Sequence, residues 1–307
     1  MKSGTLTNQV RAANAPRLAL VLGSGGVRSV AALGIADVLV DAGLRPDLVV
    51  GCSSGALFGA CIAMGMTGEQ GLAAAMRLWS AELTQQKRWR AFLELVAPRF
   101  MRFDAGFSLR DAGLIRARVE RAFGDSRLQD LPIPLRVVAT VAATGESRVL
   151  SHGRVADAVR ASMALPIIFP SVEIDGHQLR DGVISDPLPI AVARDADLAL
   201  TVGFRGAMPR RVDRASRLVA QITTAMINNL QQARIEAAHA TGQRMFHFEL
   251  GIDRRVGLWD TDAMPRIFQI GRNAAIDQLP AIRRLLDVPA GTSRAPFDGP
   301  LPAVSNQ

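Results

Sequence analysis

Lysine is nearly missing from this 307-residue chain. Lys2 and Lys87 are the only two, and arginine supplies almost all the positive charge behind a formal net +8. A cationic balance suits nucleic acid, an anionic membrane surface or an acidic substrate. There is no long basic block and no nucleic-acid motif, and acids lie between the arginines along the chain. Nucleic acid is therefore not an expected partner. A solvated basic exterior remains, with a lean towards a membrane surface. Cysteine is scarce too: Cys52 and Cys61 make neither a disulfide framework nor a metal set. Residues 1–16 are polar and carry no apolar core of a secretory signal, so a cytoplasmic location is the default, with peripheral contact at the inner membrane face as its variant. Charge is absent from Leu48 to Gly68, long enough to span a bilayer, but glycines break the run, which reads as a buried strand, a tight turn and a buried helix. No transmembrane segment and no oligomeric state are read from the sequence.

What is present is an alternation of strands and helices. Arg17–Leu22 is a short apolar run ending at glycines, as a buried strand does. A helix is expected over 29–42, capped by Ser29 and Gly43, then a strand at 48–50 and an apolar helix over 54–66. Strands are expected at 135–142, 148–151, 197–204 and 245–250, and helices at 155–163, 214–240 and 263–286. This order predicts an α/β fold with a largely parallel central sheet covered by helices on both faces. No internal repeat or linker is visible, so the expected organisation is a flexible leader (1–15), a single domain (16–287) and a flexible tail rich in Pro, Gly, Ser and Ala (288–307).

Three motifs carry chemistry. Gly51-Cys52-Ser53-Ser54-Gly55 has the form Gly-x-Ser-x-Gly between a predicted strand and a predicted helix, the context a nucleophile elbow requires. A glycine- and serine-rich helix cap would match the same five residues, but the flanking elements favour the nucleophile. Ser53 then opens a helix, where free N–H groups and the dipole favour negative charge. Gly23-Ser24-Gly25-Gly26-Val27-Arg28-Ser29 also joins strand to helix. A dinucleotide fingerprint needs glycine at 28, where arginine stands. Phosphate binding and oxyanion binding by backbone N–H groups are both open to such a loop. The third is Arg180-Asp181-Gly182, by itself only a turn signal.

Taken with Ala161-Ser-Met-Ala-Leu-Pro166, Phe169-Pro170 and Pro187, in this order and spacing, the motifs resemble the patatin-like phospholipase family. The likeness runs from Arg17 to Ala193. It implies a three-layer patatin-like architecture and a serine acyl hydrolase of lipid esters (phospholipid, lysophospholipid or acylglycerol) that needs no metal or organic cofactor. It implies a dyad of Ser53 and Asp181. Gly25, Gly26, Val27 and Arg28 would form the oxyanion loop, Gly51 and Gly55 the elbow, and Gly182 and Asp186 would stand behind the aspartate. Ser24 and Ser29 replace outer glycines of the family's loop, Val183 replaces a small residue, and Asp186 stands where the family often has Asn. These departures sustain a rival reading, a catalytically weak relative that binds lipid or a partner.

The other rival is a Ser–His–Asp esterase of α/β-hydrolase type, whose histidine comes last in the chain. That leaves His239, within a helix, and His247, alternating with Phe246 and Phe248 in a strand; His152 and His177 precede the aspartate. Trp79, Trp89, Phe92, Leu93, Phe100 and Phe103 interleave with Lys87, Arg88, Arg90, Arg99 and Arg102. Such a segment suits lipid headgroups, and equally an amphipathic helix pair packed on the core. Arg210, Arg211, Arg214 and Arg217 read as a solvated helix start that could also meet anionic lipid.

Overall fold

Five consecutive apolar residues, all shielded from solvent, form the central strand β1 (Leu18–Leu22). A strand covered on both faces reads as an unbroken hydrophobic run rather than an alternation. The computed structural model describes residues 16–79, 112–253, 256–257 and 260–287. A 3-10 turn (Gly26–Val30) leads from β1 into α1 (Ala31–Asp41), followed by β2 (Leu48–Cys52), α2 (Ser54–Ala63) and α3 (Gly68–Leu78). Next come α4 (Ala112–Phe123), β3 (Leu135–Val141), β4 (Ser147–Leu150), α5 (Val155–Ser162), β5 (Val172–Ile174) and β6 (His177–Asp181). The remainder is β7 (Leu198–Val202), α6 (Ala215–Ala240), β8 (Met245–His247) and α7 (Met264–Leu286).

The strands join in the order β5-β6-β3-β2-β1-β7-β8, with β4 also on β3. From β3 to β8 the sheet is parallel, as expected of strand–helix alternation; β4, β5 and β6 extend it antiparallel. Helices cover both faces. Leu18, Leu20 and Leu22 point into the larger core with α1, α2, α3, α5 and α7. The smaller Ala19, Val21 and Ala199 face a second core closed by Leu188, Ile190 and Ala193, with Ile235 and Ala238 of α6. Two register pairs fix the chemistry. Val138 of β3 lies opposite Cys52 of β2, and its neighbour Ala139 lies opposite Asp181 of β6. β3 thus holds the ends of β2 and β6 level, one strand apart on either side.

One expectation changes, and some elements were not foreseen. Ser29 does not cap α1: the N-cap is Val30, without a side-chain bond, because Gly26–Val30 winds as a 3-10 turn and turns Ser29 inward. Gly43 does close α1, with φ +77° and the N–H of Leu44 returning to the Leu39 carbonyl at 2.7 Å. The hairpin β5–β6, which delivers Asp181, was not expected. Its turn is Asp175-Gly176, both with positive φ, the strongest short hairpin signal, hidden because each strand is short and half exposed. The helix α3 likewise opens on a capping box between Thr67 and Gln70 that the apolar pattern did not reveal.

Candidate active site

The elbow forms because α2 starts immediately after β2 and must pack back on it. A Cβ on Gly51 would lie 2.5 Å from the Ala56 Cα, and one on Gly55 would collide with the Leu22 carbonyl oxygen. Only glycine permits that approach. Between them Ser53 takes φ 56°, ψ −125°, a conformation disfavoured for any residue with a Cβ. Its N–H is held by Ser162 Oγ (2.8 Å), which in turn donates to the Val138 carbonyl (2.6 Å). The turn is thereby tied to α5 and β3. Ser53 Oγ stands at the N-terminus of α2, whose first N–H groups have no intrahelical acceptor.

Ser53 Oγ donates to Asp181 Oδ2 at 2.9 Å. The other oxygen, Oδ1, accepts the Val183 N–H at 2.9 Å, as the cap of the 3-10 turn Gly182–Ile184. The aspartate's backbone is fixed as well, its N–H to the Ala164 carbonyl (3.0 Å) and its carbonyl accepting from Thr140 Oγ1 (2.8 Å). Thr140 Oγ1 also meets Ser185 Oγ at 2.8 Å. A Cβ on Gly182 would strike the Val138 carbonyl, so glycine alone lets this turn lie against β3. Asp181 is 2% exposed, and burial pushes its carboxyl up to about 7, against the lowering by the Val183 and Ser53 donors.

Four residues after the glycine it follows, Asp186 is also buried. Burial raises its carboxyl while Arg234 of α6 lowers it, through Nε–Oδ1 contact at 3.1 Å; Arg234 also donates to the Ser185 carbonyl at 2.9 Å. The extra carboxylate relative to the family's Asn is thus matched by an arginine reaching across from another element.

The glycine loop lies against the elbow, and its parts divide. Gly25 N–H donates to Ser54 Oγ (3.1 Å), and Ser54 Oγ meets Ser29 Oγ (2.8 Å), itself 3.4 Å from the Gly23 carbonyl. The Gly25 N–H, expected to face a ligand, is engaged by Ser54 in this structure. Gly26 (φ +62°) and Val27 open the 3-10 turn, so their N–H groups precede any intrahelical acceptor. Arg28 braces the loop instead of lining an open site. Its Nε donates to the Gly25 carbonyl (3.3 Å), its Nη1 to the Arg205 carbonyl (2.9 Å), and the guanidinium lies 5.6 Å from the Phe204 ring centre. Ser29, a departure from the family's glycine, is part of the same hydroxyl chain.

No histidine hydrogen-bonds Ser53 or Asp181. His247 sits on the edge strand with Nδ1 against Thr201 Oγ1 at 2.8 Å, and burial lowers its pKa. His152, His177 and His239 are exposed. Cys52, beside Ser53, is buried, and burial together with Asp181 and Asp186 raises its thiol well above its usual range, so no thiolate competes. Trp79 is a core residue stacked on Phe58, centroids 6.0 Å apart, not a lipid-facing ring. The rest of the basic–aromatic segment, 80–103, lies outside the described residues. Among the described residues no helix is long and apolar enough to cross a membrane, and no three His, Cys, Asp or Glu side chains cluster as metal ligands would.

Fold and site together define a class: an α/β protein that presents a serine on a strand–helix elbow to a buried aspartate, beneath a glycine loop. The sequence model of the family "Patatin-like phospholipase" matches residues 20–194, and the chain belongs to that family. An uncharacterized NTE family protein of Mycobacterium tuberculosis is 35% identical over 205 residues, which are 64% of this chain and 52% of that protein. Patatin-like phospholipase domain-containing protein 7 of Rattus norvegicus is 31% identical over 195 residues, 61% of this chain and 14% of the rat protein. The chain thus spans about half the length of the first relative and a small part of the second. Among solved structures, VipD from Legionella pneumophila aligns with a TM-score of 0.47 at 15% identity, over 88% of this chain and 67% of that one.

Proposed function

We propose that this chain hydrolyses carboxylic esters of lipids through Ser53 and Asp181. The observation that carries the reading is the 2.9 Å bond from Ser53 Oγ to a buried carboxylate that no histidine approaches. Serine needs an adjacent base, and an aspartate in water is too weak a base to serve. Burial changes that, because a carboxyl raised to about 7 is matched to the operating pH. Ser53 Oγ attacks the ester carbonyl carbon and its proton passes to Asp181 Oδ2. The oxyanion is received by the N–H groups of Gly26 and Val27 and the start of α2. Collapse breaks the C–O bond, and the departing alcohol takes the proton from Asp181. Water then attacks the acyl-serine, Asp181 accepts its proton, and Ser53 is restored. No metal or organic cofactor enters these steps. Membership of the family, and the relatives' printed names, support a lipid as the acyl donor.

The test is labelling with a fluorophosphonate, which reacts with activated serines, followed by a panel of phospholipids, lysophospholipids and acylglycerols. Wild type should label and turn over at least one class, and Ser53→Ala should do neither. His247→Ala and His239→Ala should keep substantial activity. Activity retained by Ser53→Ala, or lost in a histidine variant as fully as in Asp181→Asn, would overturn the dyad.

A further inference from the structure

In most surface helices the apolar stripe faces the core and the polar face meets water. Helix α6 is reversed over its first half. At 100° per residue, Leu218, Val219, Ile222 and Met226 share an arc of about 100°, opposite the side that carries Thr224, Asn228, Gln231 and Ala238. The polar side faces the protein. Asn228 clasps the Gly206 backbone through both amide atoms (2.8 and 3.0 Å), Gln231 and Ala238 are the helix's two buried residues, and Arg234 reaches Asp186. The apolar side is bare, with Leu218 46%, Val219 59%, Ile222 51% and Met226 66% exposed. Met208 and Val212 on the approach to the helix are exposed too, as are Ile167 and Ile184, on the loops flanking Asp181. β7 runs parallel to β1 and β2, so the chain leaves it towards α6 at the end of the sheet where β2 leads into Ser53.

Charge identifies what covers it. Arg205, Arg210, Arg211, Arg214 and Arg217 are all exposed over the thirteen residues from 205 to 217, with Asp213 as the single acid. Asp213 is paired with Arg217 at 2.8 Å, and the other four make no ion pair among the described residues. A second copy on a two-fold axis would bring this cluster against itself. An anionic bilayer complements it: the apolar ridge enters the acyl boundary while the arginines meet lipid phosphates.

We propose that the first half of α6 with the 205–217 approach is a docking surface for an anionic lipid bilayer, which brings the Ser53 edge of the sheet to the membrane. Docking is read as binding, not turnover, so it stands or falls separately from the acyl-hydrolase reading. The experiment is co-sedimentation of the full-length protein, as wild type and as Ser53→Ala, with vesicles of phosphatidylcholine alone or mixed equally with phosphatidylglycerol. Both proteins should sediment with the mixed vesicles and far less with phosphatidylcholine. Arg210→Gln, Arg211→Gln and Arg214→Gln should each weaken binding about fivefold at low salt, and the loss should shrink at high salt. Leu218→Gln, Ile222→Gln and Met226→Gln together should abolish sedimentation with the melting temperature unchanged, because these side chains leave no core. Variants that sediment like wild type would overturn the proposal. So would a wild-type dimer that the apolar triple variant converts to monomer without changing vesicle binding, since a second copy would then cover the ridge.

Discussion

Ser53 is held where its Cβ is unwelcome, at φ 56°, ψ −125°, by glycines on either side and by the Ser162 hydroxyl on its N–H. Strain of this kind costs on the order of 1–3 kcal/mol and is released by glycine. Ser53→Gly is expected to abolish probe labelling while raising the urea midpoint, with a gain in unfolding free energy of about 1 kcal/mol after the added freedom of the unfolded chain is subtracted. A lower midpoint would mean that the Ser53–Asp181 bond outweighs the strain. Asp181 makes a pH prediction with two signs. As the proposed base it must be ionised, so hydrolysis of a soluble short ester should rise through pH about 7 and vanish on the acid side. Stability runs the other way. The folded carboxyl is raised from 3.8 to about 7, so between those values the native state holds a proton that the unfolded chain has released. Its contribution is full below the unfolded pKa and is lost as pH rises through the folded one. Asp181→Asn does not titrate, so its melting temperature should gain on wild type steadily from pH 4 to pH 7. A constant gap would show that burial does not hold this proton.

At the scale of elements, two helices support the site through contacts that no local pattern announces. Arg234 of α6 neutralises Asp186 and holds the Ser185 carbonyl, and Ser185 Oγ meets the Thr140 hydroxyl that fixes the Asp181 carbonyl. Removing the arginine strands a buried carboxylate, and a lost charged partner costs about 1–3 kcal/mol when one side of the pair is still partly wet, as Arg234 is. Arg234→Met should lower the unfolding free energy by that amount, and adding Asp186→Asn should restore most of it. Equal losses in the single and double variants would show that the pair is not the cause. Helix α7 is the second case. A Cβ on Gly271 would overlap the Ala31 carbonyl, and one on Gly34 would overlap the Phe268 carbonyl, so α1 and α7 touch backbone to backbone. Gly271→Ala should cost about 1–3 kcal/mol in urea unfolding, because neither helix can yield without leaving the core.

Across the whole molecule, the sheet brings its chemistry to one end. β1 and β2 run parallel in register from Ala19–Leu48 to Leu22–Gly51, so the glycine loop and the elbow emerge side by side. β6 arrives antiparallel on β3 and ends at Asp181, opposite Ala139. Parallel and antiparallel strands thereby deliver a serine and an aspartate 128 residues apart to one hydrogen bond. The α7 helix lies outside the family match at 20–194, yet Arg272 pairs with Asp37 at 2.5 Å and α7 packs along α1, so these late residues complete the same core.

The sequence by itself determined the parallel body of the sheet, because doubly covered strands must be continuous apolar runs and their helices must close on glycine. It also determined the elbow, where Gly51, Ser53 and Gly55 are the residue types a sharp strand–helix turn tolerates. The division of labour in the glycine loop was decided only by tertiary structure: Gly25 N–H turns to Ser54 because a hydroxyl from the next helix lies within reach. The pairing of Asp186 with Arg234, 48 residues away, was decided there as well. So was the side chain that lies within hydrogen-bond reach of Ser53 Oγ, which is Asp181. Local patterns place a side chain on an element, whereas the register of β3 against β2 and β6 sets which carboxylate meets the hydroxyl, and burial between those strands sets its proton affinity.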